Sequence, residues 1–289
     1  MKKSRALSGP GKDVRPQYGL SAANMRTLNY EICRMGVAEK ALTFLVGFAV
    51  GAAVGYLFYG GIGRDAFGRP TALTYALDIL FGGGAGICAG FAVIPIRERI
   101  ILRRRFIKLS RQFRDMLESL NTSLGAGKNV QDAFTAVYED LKAQYEEDAY
   151  ILRELEVILS GIANNIDIED LLEDFGRRSG NGDIASFASV FRVCGRRGGD
   201  IKDAVRSTHE ILSDKLEIRE EIETAVTSSK TEQSIMMVMP VALIFVVKVM
   251  SPDFASNFTS VPGIAATTVA VALFVTAHFV GRAVLDIKM

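Results

Sequence analysis

The sequence predicts an all-α integral membrane protein, with four transmembrane helices paired into two hairpins and a cytoplasmic six-helix bundle between them. Three observations predict this. Apolar runs of membrane-crossing length occur twice near the start of the chain and twice near its end. Lys and Arg concentrate on one side of those runs. The polar stretch between the pairs places apolar residues at alternating three- and four-residue steps, the period of an amphipathic helix.

The apolar runs cover residues 41–60, 77–96, 234–250 and 264–281. Each is close to the roughly 20 residues that cross about 30 Å of hydrocarbon. They divide the chain into a cytoplasmic N-terminal segment (1–40), a first transmembrane hairpin (41–96), a cytoplasmic helical domain (97–233) and a second hairpin with a short cytoplasmic tail (234–289). The first run is not expected to be a cleaved signal, because a long charged segment precedes it and its apolar core is too long.

Orientation follows from the basic residues, since short flanks rich in Lys and Arg stay in the cytoplasm. Residues 1–40 carry eight of them and residues 97–114 carry eight more. The connection between the first two runs has only Arg64 and Arg69, and residues 251–263 have none. Both termini and the central domain are therefore expected on the cytoplasmic side of the plasma (inner) membrane. Cys33, Cys88 and Cys194 are scattered, and on this topology imply no disulfide framework.

Gly47, Gly51 and Gly55 recur every four residues in the first run, as do Gly82, Gly86 and Gly90 in the second. Such stripes let helix backbones approach closely where lipid removes the hydrophobic drive. They admit two readings: packing within the first hairpin, or contact in a homo- or hetero-oligomer. Asp78 and Lys248 fall at the outer ends of their runs, where charged side chains snorkel to the interface.

In the central domain, the first helix (97–124) carries Leu102, Phe106, Leu109, Phe113, Met116, Leu120 and Leu124 as one apolar stripe and is expected to run out of the second membrane span. Three later helix starts share a pattern: Asn129 with Asp132, Asp167 with Asp170, and Asp200 with Asp203. In each, the first residue can cap free backbone amides and the acid three residues on complements the helix dipole. Glycines precede the first and third starts, where tight turns need backbone freedom. Further helices are expected over 146–163 and 184–194. The last helix, with Val205, Ile211, Leu212, Leu216, Ile222 and Val226 as its stripe, is expected to run into the third span and to transmit movement there.

Charge is divided. Residues 97–114 hold eight basic residues and one acid, a collar suited to anionic membrane lipids. Residues 115–233 hold 13 basic and 25 acidic residues, which argues against nucleic-acid binding. A charge-complementary protein partner and a plain solvated surface both fit that acidity.

No pattern for catalysis or a cofactor emerges. Gly125-Ala-Gly-Lys128 has Thr122 where a phosphate loop needs its first glycine and Asn129 where it needs a hydroxyl, so it reads as a turn. His209 and His278 have no ligand-spaced partners, and the acids over 146–148 and 167–174 lack a calcium-loop pattern. The expectation is no enzyme activity, no cofactor and no metal.

Taken in order, several segments resemble a known family. They are Phe113-Arg-Asp-Met-Leu-Glu-Ser-Leu120, Leu124-Gly-Ala-Gly-Lys-Asn-Val-Gln-Asp-Ala-Phe134, Tyr138-Glu-Asp-Leu141, Phe187-Ala-Ser-Val-Phe191, Gly198-Gly-Asp-Ile-Lys-Asp-Ala-Val205 and Glu232-Gln-Ser-Ile-Met-Met-Val-Met-Pro240. With the two-hairpin frame, they resemble the type II secretion F-domain proteins, and within them the TadB-like platform proteins of Tad (Flp) pilus assembly. The single F domain fits the Tad branch better than the two-module platforms. The N-terminal 40 residues have no counterpart in the resemblance.

The resemblance implies a non-enzymatic platform that couples a cytoplasmic hexameric secretion ATPase to extraction and polymerisation of pilin subunits, beside a second, TadC-like F-domain protein. It implies that the turns holding Gly127, Asn129 and Asp132, and Gly198, Gly199, Asp200 and Asp203, shape a partner-contact surface. Local helix capping is the alternative for each. The rival function is a membrane signalling or adaptor protein relaying through the helical bundle, although its external segments are short for a sensor. A small transporter is disfavoured by the scarcity of polar groups in the spans.

Overall fold

A computed structural model describes residues 17–33, 35–62, 71–197, 199–251 and 257–285. The described chain is helical apart from one short β-hairpin. Strands β1 (Tyr18–Leu20) and β2 (Arg26–Leu28) precede α1 (Val37–Tyr59), α2 (Ala72–Gly125), α3 (Val130–Gln144), α4 (Tyr150–Ala163), α5 (Ile168–Ser179), α6 (Gly182–Arg197), α7 (Ile201–Met250) and α8 (Val261–Leu285). The chain divides into two compact units, one of Met1–Arg34 with Glu98–Glu217, the other of Met35–Arg97 with Ile218–Met289.

In the first unit the strands pair antiparallel, with Tyr18 opposite Leu28 and Leu20 opposite Arg26. The connecting turn closes through Ser21 N–H to Met25 O at 2.9 Å and places Asn24 at φ 57°, a left-handed position that Asn tolerates better than most residues. This hairpin departs from the all-α expectation. Three-residue strands are too short for an alternating pattern to register in the sequence.

The helices of this unit bury one continuous apolar core. It takes Leu109, Phe113, Met116, Leu117 and Leu120 from α2, Phe134 and Val137 from α3, Ile151, Leu155 and Ile158 from α4, Leu172 and Phe175 from α5, Phe187 and Phe191 from α6, and Val205, Leu212 and Leu216 from α7. Phe113 meets Phe175 and Phe187 edge-on with ring centroids 6.1 and 5.6 Å apart, a favoured aromatic geometry. On α7 the stripe is narrower than the sequence pattern implied, for Ile211 is exposed while Leu212 is buried.

Local chemistry sets the helix ends. The Asn129 side chain accepts from Asp132 N–H at 2.8 Å and starts α3, and Asp200 accepts from Lys202 N–H at 2.9 Å at the start of α7. Asp167 precedes α5 without a side-chain capping bond, so the pattern shared by the three helix starts does not give all three a side-chain cap. Helix α4 starts at Tyr150, four residues later than its expected first residue 146, and α6 extends over Gly182–Arg197. Gly180, at φ 62°, ends α5 in the left-handed conformation that glycine adopts without penalty.

In the second unit, α1, α2 and α7 are long and apolar enough to cross a membrane, and a shorter apolar stretch, Pro262–Ala277, lies in α8. Helices α2 and α7 each run unbroken from one unit into the other, with Pro95 and Pro240 inside them. The two glycine stripes meet each other. A Cβ built on Gly47 would lie 3.0 Å from Gly90 Cα, and one on Gly51 would lie 3.0 Å from Gly86 Cα and 2.8 Å from Ala85 O. One on Gly55 would lie 3.2 Å from Gly82 Cα. The stripes are therefore occupied by the hairpin's own partner helix. Asp78 accepts from Gly61 N–H at 2.9 Å, and Lys248 Nζ donates to Leu57 O at 2.5 Å and stands 5.0 Å from the Phe258 ring centre.

Candidate partner-contact surface

The turn between α2 and α3 is built by three successive backbone bonds: Ala126 N–H to Thr122 O, Gly127 N–H to Leu124 O and Lys128 N–H to Ser123 O, at 3.0, 3.0 and 3.3 Å. They satisfy carbonyls that the end of α2 leaves free. Gly127 sits at φ 85°, where a Cβ would be strained. Asn129 then caps α3 and also donates from Nδ2 to Asp132 Oδ2 at 2.7 Å. Gly127, Asn129 and Asp132 are all exposed.

Before α7, Gly199 N–H donates to Cys194 O at 2.9 Å. Gly199, Asp200 and Asp203 are exposed, while Gly198 lies outside the described residues. The side chain of Lys202, in the first turn of α7, reaches the end of α2: its Cε lies 3.9 Å from where a Cβ on Gly125 would stand. The described candidate residues of both turns are exposed. Their backbone and capping bonds are local, and their exposed side chains are free of the core.

Beside the first turn is a polar hollow of about 510 Å³ between α2 and α3, lined among others by Asp115, Glu118, Thr122, Lys128 and Asp140. Tyr145 Oη donates to Asp115, and Arg114 pairs with the same carboxylate at 2.8 Å. Burial and that hydrogen bond push the Tyr145 phenol up to about 12. The hollow offers three carboxylates and one ammonium, a lining suited to charged or polar groups of a protein surface rather than to an apolar ligand.

Among the described residues no group of three or more His, Cys, Asp or Glu is placed to hold a metal ion. His209 Nδ1 lies 3.4 Å from Arg114 O, and the side chain of His278 lies outside the described residues. Cys33, Cys88 and Cys194 are free thiols. On α2, Arg97, Arg99, Arg103, Arg104, Lys108 and Arg111 of the basic collar are exposed.

Sequence reasoning missed a charged cluster inside the first unit. Arg178 pairs with Glu154 through Nη1 to Oε1 at 2.9 Å and Nη2 to Oε2 at 2.6 Å, and with Asp174 through Nε to Oδ2 at 2.7 Å. Arg177 adds a bond to Asp174 Oδ1 at 2.6 Å. Burial alone would raise the Asp174 carboxyl, but the hydrogen bond and charge of Arg178, with help from Ala22 N–H and Arg177, hold it below its ordinary value. The available signal was Glu154 itself, a carboxylate within the apolar run Ile151, Leu152, Leu155 and Ile158.

Three comparisons with known proteins bear on this architecture. No curated protein and no solved structure matches the chain. Residues 107–248, just under half of the 289-residue chain, match the family model described as Type II secretion system (T2SS), protein F. That segment begins within α2, holds both candidate turns and the charged cluster, and ends within α7, so the part of the chain that builds the core is the part similar to the F proteins of secretion machinery.

Proposed function

We propose that the protein is an inner-membrane platform of a Tad/Flp-type assembly machine, related to type IV pilus and type II secretion systems. In this reading it is not an enzyme. It crosses the membrane four times, with both termini and a six-helix F domain in the cytoplasm. The F domain receives motion from a hexameric secretion ATPase, and the membrane helices pass it to pilin subunits being extracted and polymerised. A second, TadC-like F-domain protein completes the platform as a homo- or hetero-oligomer, and the basic collar rests on membrane lipids.

The observation that carries the reading is the family match over residues 107–248 in a chain whose long apolar helices lie on either side of the acidic domain. Two features support it. Helices α2 and α7 each continue from the core of the first unit into apolar, membrane-length stretches. The described candidate residues of both turns, Gly127, Asn129, Asp132, Gly199, Asp200 and Asp203, are exposed, as a contact surface requires.

The test is affinity purification of the tagged full-length protein from membranes, with mass spectrometry of what copurifies. Recovery of a secretion ATPase and a second F-domain protein supports the platform. Reproducible recovery of a kinase or response regulator, with no ATPase, would replace it with the signalling alternative.

A further inference from the structure

We propose that residues 17–33 form a strap latched over the Glu154–Asp174–Arg178 cluster, able to open as a unit while the helices beneath stay folded. The inference rests on how the strap is held. Its polar anchors converge on one place: Tyr30 Oη donates to Glu154 Oε1 at 2.8 Å, Ala22 N–H to Asp174 Oδ2 at 3.2 Å, and Tyr30 N–H to Arg178 O at 3.1 Å. Arg105 Nη1 donates back to Ile32 O at 3.3 Å.

The charges explain why those anchors sit there. Two carboxylates and the Arg178 guanidinium are buried, whereas the side chain of Arg177 is 79% exposed and its charge is screened by solvent. The buried part therefore carries one carboxylate more than it has buried cations. A buried charge needs hydrogen-bond donors for its remaining lone pairs, and the strap supplies one to each carboxylate. Its third donor serves a carbonyl at the end of α5, where a helix leaves such groups without internal partners.

The same geometry makes the strap the weaker element. Its one fully packed side chain in the core cluster is Tyr30, edge-on against Tyr150 with centroids 5.5 Å apart; Ala23 and Leu28 lie partly buried against that core, and Ile32 is buried outside it. Tyr18 and Leu20 of β1 are exposed, and two of the strap's four buried side chains, Ser21 and Thr27, are polar. When the strap lifts, water can replace each donor it withdraws, and Arg178 still pairs both carboxylates. Opening the helices instead would expose Phe113, Phe134, Phe175 and Phe187, all essentially fully buried. Elements with few apolar contacts and bonds that water can replace open first. An open strap uncovers a charged face on α4 and α5 that the closed one hides.

Amide hydrogen exchange on the detergent-solubilised full-length protein, compared with Tyr30→Phe, tests this. The variant removes one hydroxyl and keeps the ring, so the unit remains folded. Exchange at Ala22, Asn29 and Tyr30 should quicken by about tenfold, in line with loss of one hydrogen bond to a charged group, while Val137 in α3 and Phe187 in α6 keep their rates. Parallel acceleration in α3 and α6 would overturn the proposal, because the strap would then belong to the cooperative core. Unchanged strap amides would overturn it by removing Tyr30 as the latch. Strap amides already unprotected in the unaltered protein would do so by showing that nothing is latched.

Discussion

Arg178 grips Glu154 with both ends of its guanidinium, Nη1 to Oε1 at 2.9 Å and Nη2 to Oε2 at 2.6 Å, in a site where both side chains are buried. The fork geometry matches the carboxylate, so a lysine could not reproduce it. Replacing Arg178 with Met strands two carboxylates without their shared cation, and should cost about 3–5 kcal/mol of stability. Its neighbour Arg177 binds Asp174 from an exposed position, and Arg177→Ala should cost less than about 1 kcal/mol. Thermal unfolding of the two variants in the same detergent checks the contrast, and equal losses would refute it.

The first hairpin supplies a second contrast. A methyl group on Gly51 would meet backbone, Ala85 O at 2.8 Å and Gly86 Cα at 3.0 Å, neither of which can rotate away. One on Gly82 would find its nearest neighbour at 3.6 Å, an ordinary contact. Gly51→Ala is therefore expected to destabilise by about 1–3 kcal/mol through overpacking, and Gly82→Ala to be near neutral. The yield and melting temperature of the purified protein report the difference.

Capping separates two positions that look alike in sequence. Asn129 accepts the Asp132 amide, whereas Asp167 makes no capping bond. Asn129→Ala should cost roughly 1 kcal/mol, and Asp167→Ala should cost clearly less. This calibration also serves partner studies: loss of copurification in Asn129→Ala counts as loss of contact only if it exceeds what a buried variant outside both turns, Ile158→Val, of similar stability cost, produces.

Alkaline pH should act through two phenols. Burial, then the charge and hydrogen bond of Glu154, hold Tyr30 well above its ordinary 10, and burial with the Asp115 bond brings Tyr145 to about 12. Both are raised, so their stabilisation is complete below pH 10, where the unfolded chain keeps its phenols neutral, and is lost as pH climbs towards the folded values. Stability should fall above pH 10, and Tyr145→Phe should make the fall shallower. Melting temperatures across that range, with tyrosinate absorbance alongside, measure both; an unchanged slope in the variant would exclude Tyr145 as a contributor.

What was legible in the amino-acid order was local. The apolar runs that became α1 and the outer parts of α2 and α7, the stripe from Leu109 to Leu120, and the caps at Asn129 and Asp200 depend on residues within a turn or two of each other, and helical periodicity and capping act at that range. The glycine stripes were visible too, but the pairing of Gly51 with Gly86 had to wait for the fold, since a stripe does not name its partner. Tertiary structure alone decided that the Lys202 side chain reaches Gly125, that Asp167 leaves its helix without a side-chain cap, and that Tyr30 reaches Glu154 across 124 positions of chain. Polar contacts of that reach carry no sequence period. They exist because a buried carboxylate must be satisfied, and only the folded chain determines which distant donor is near enough to do it.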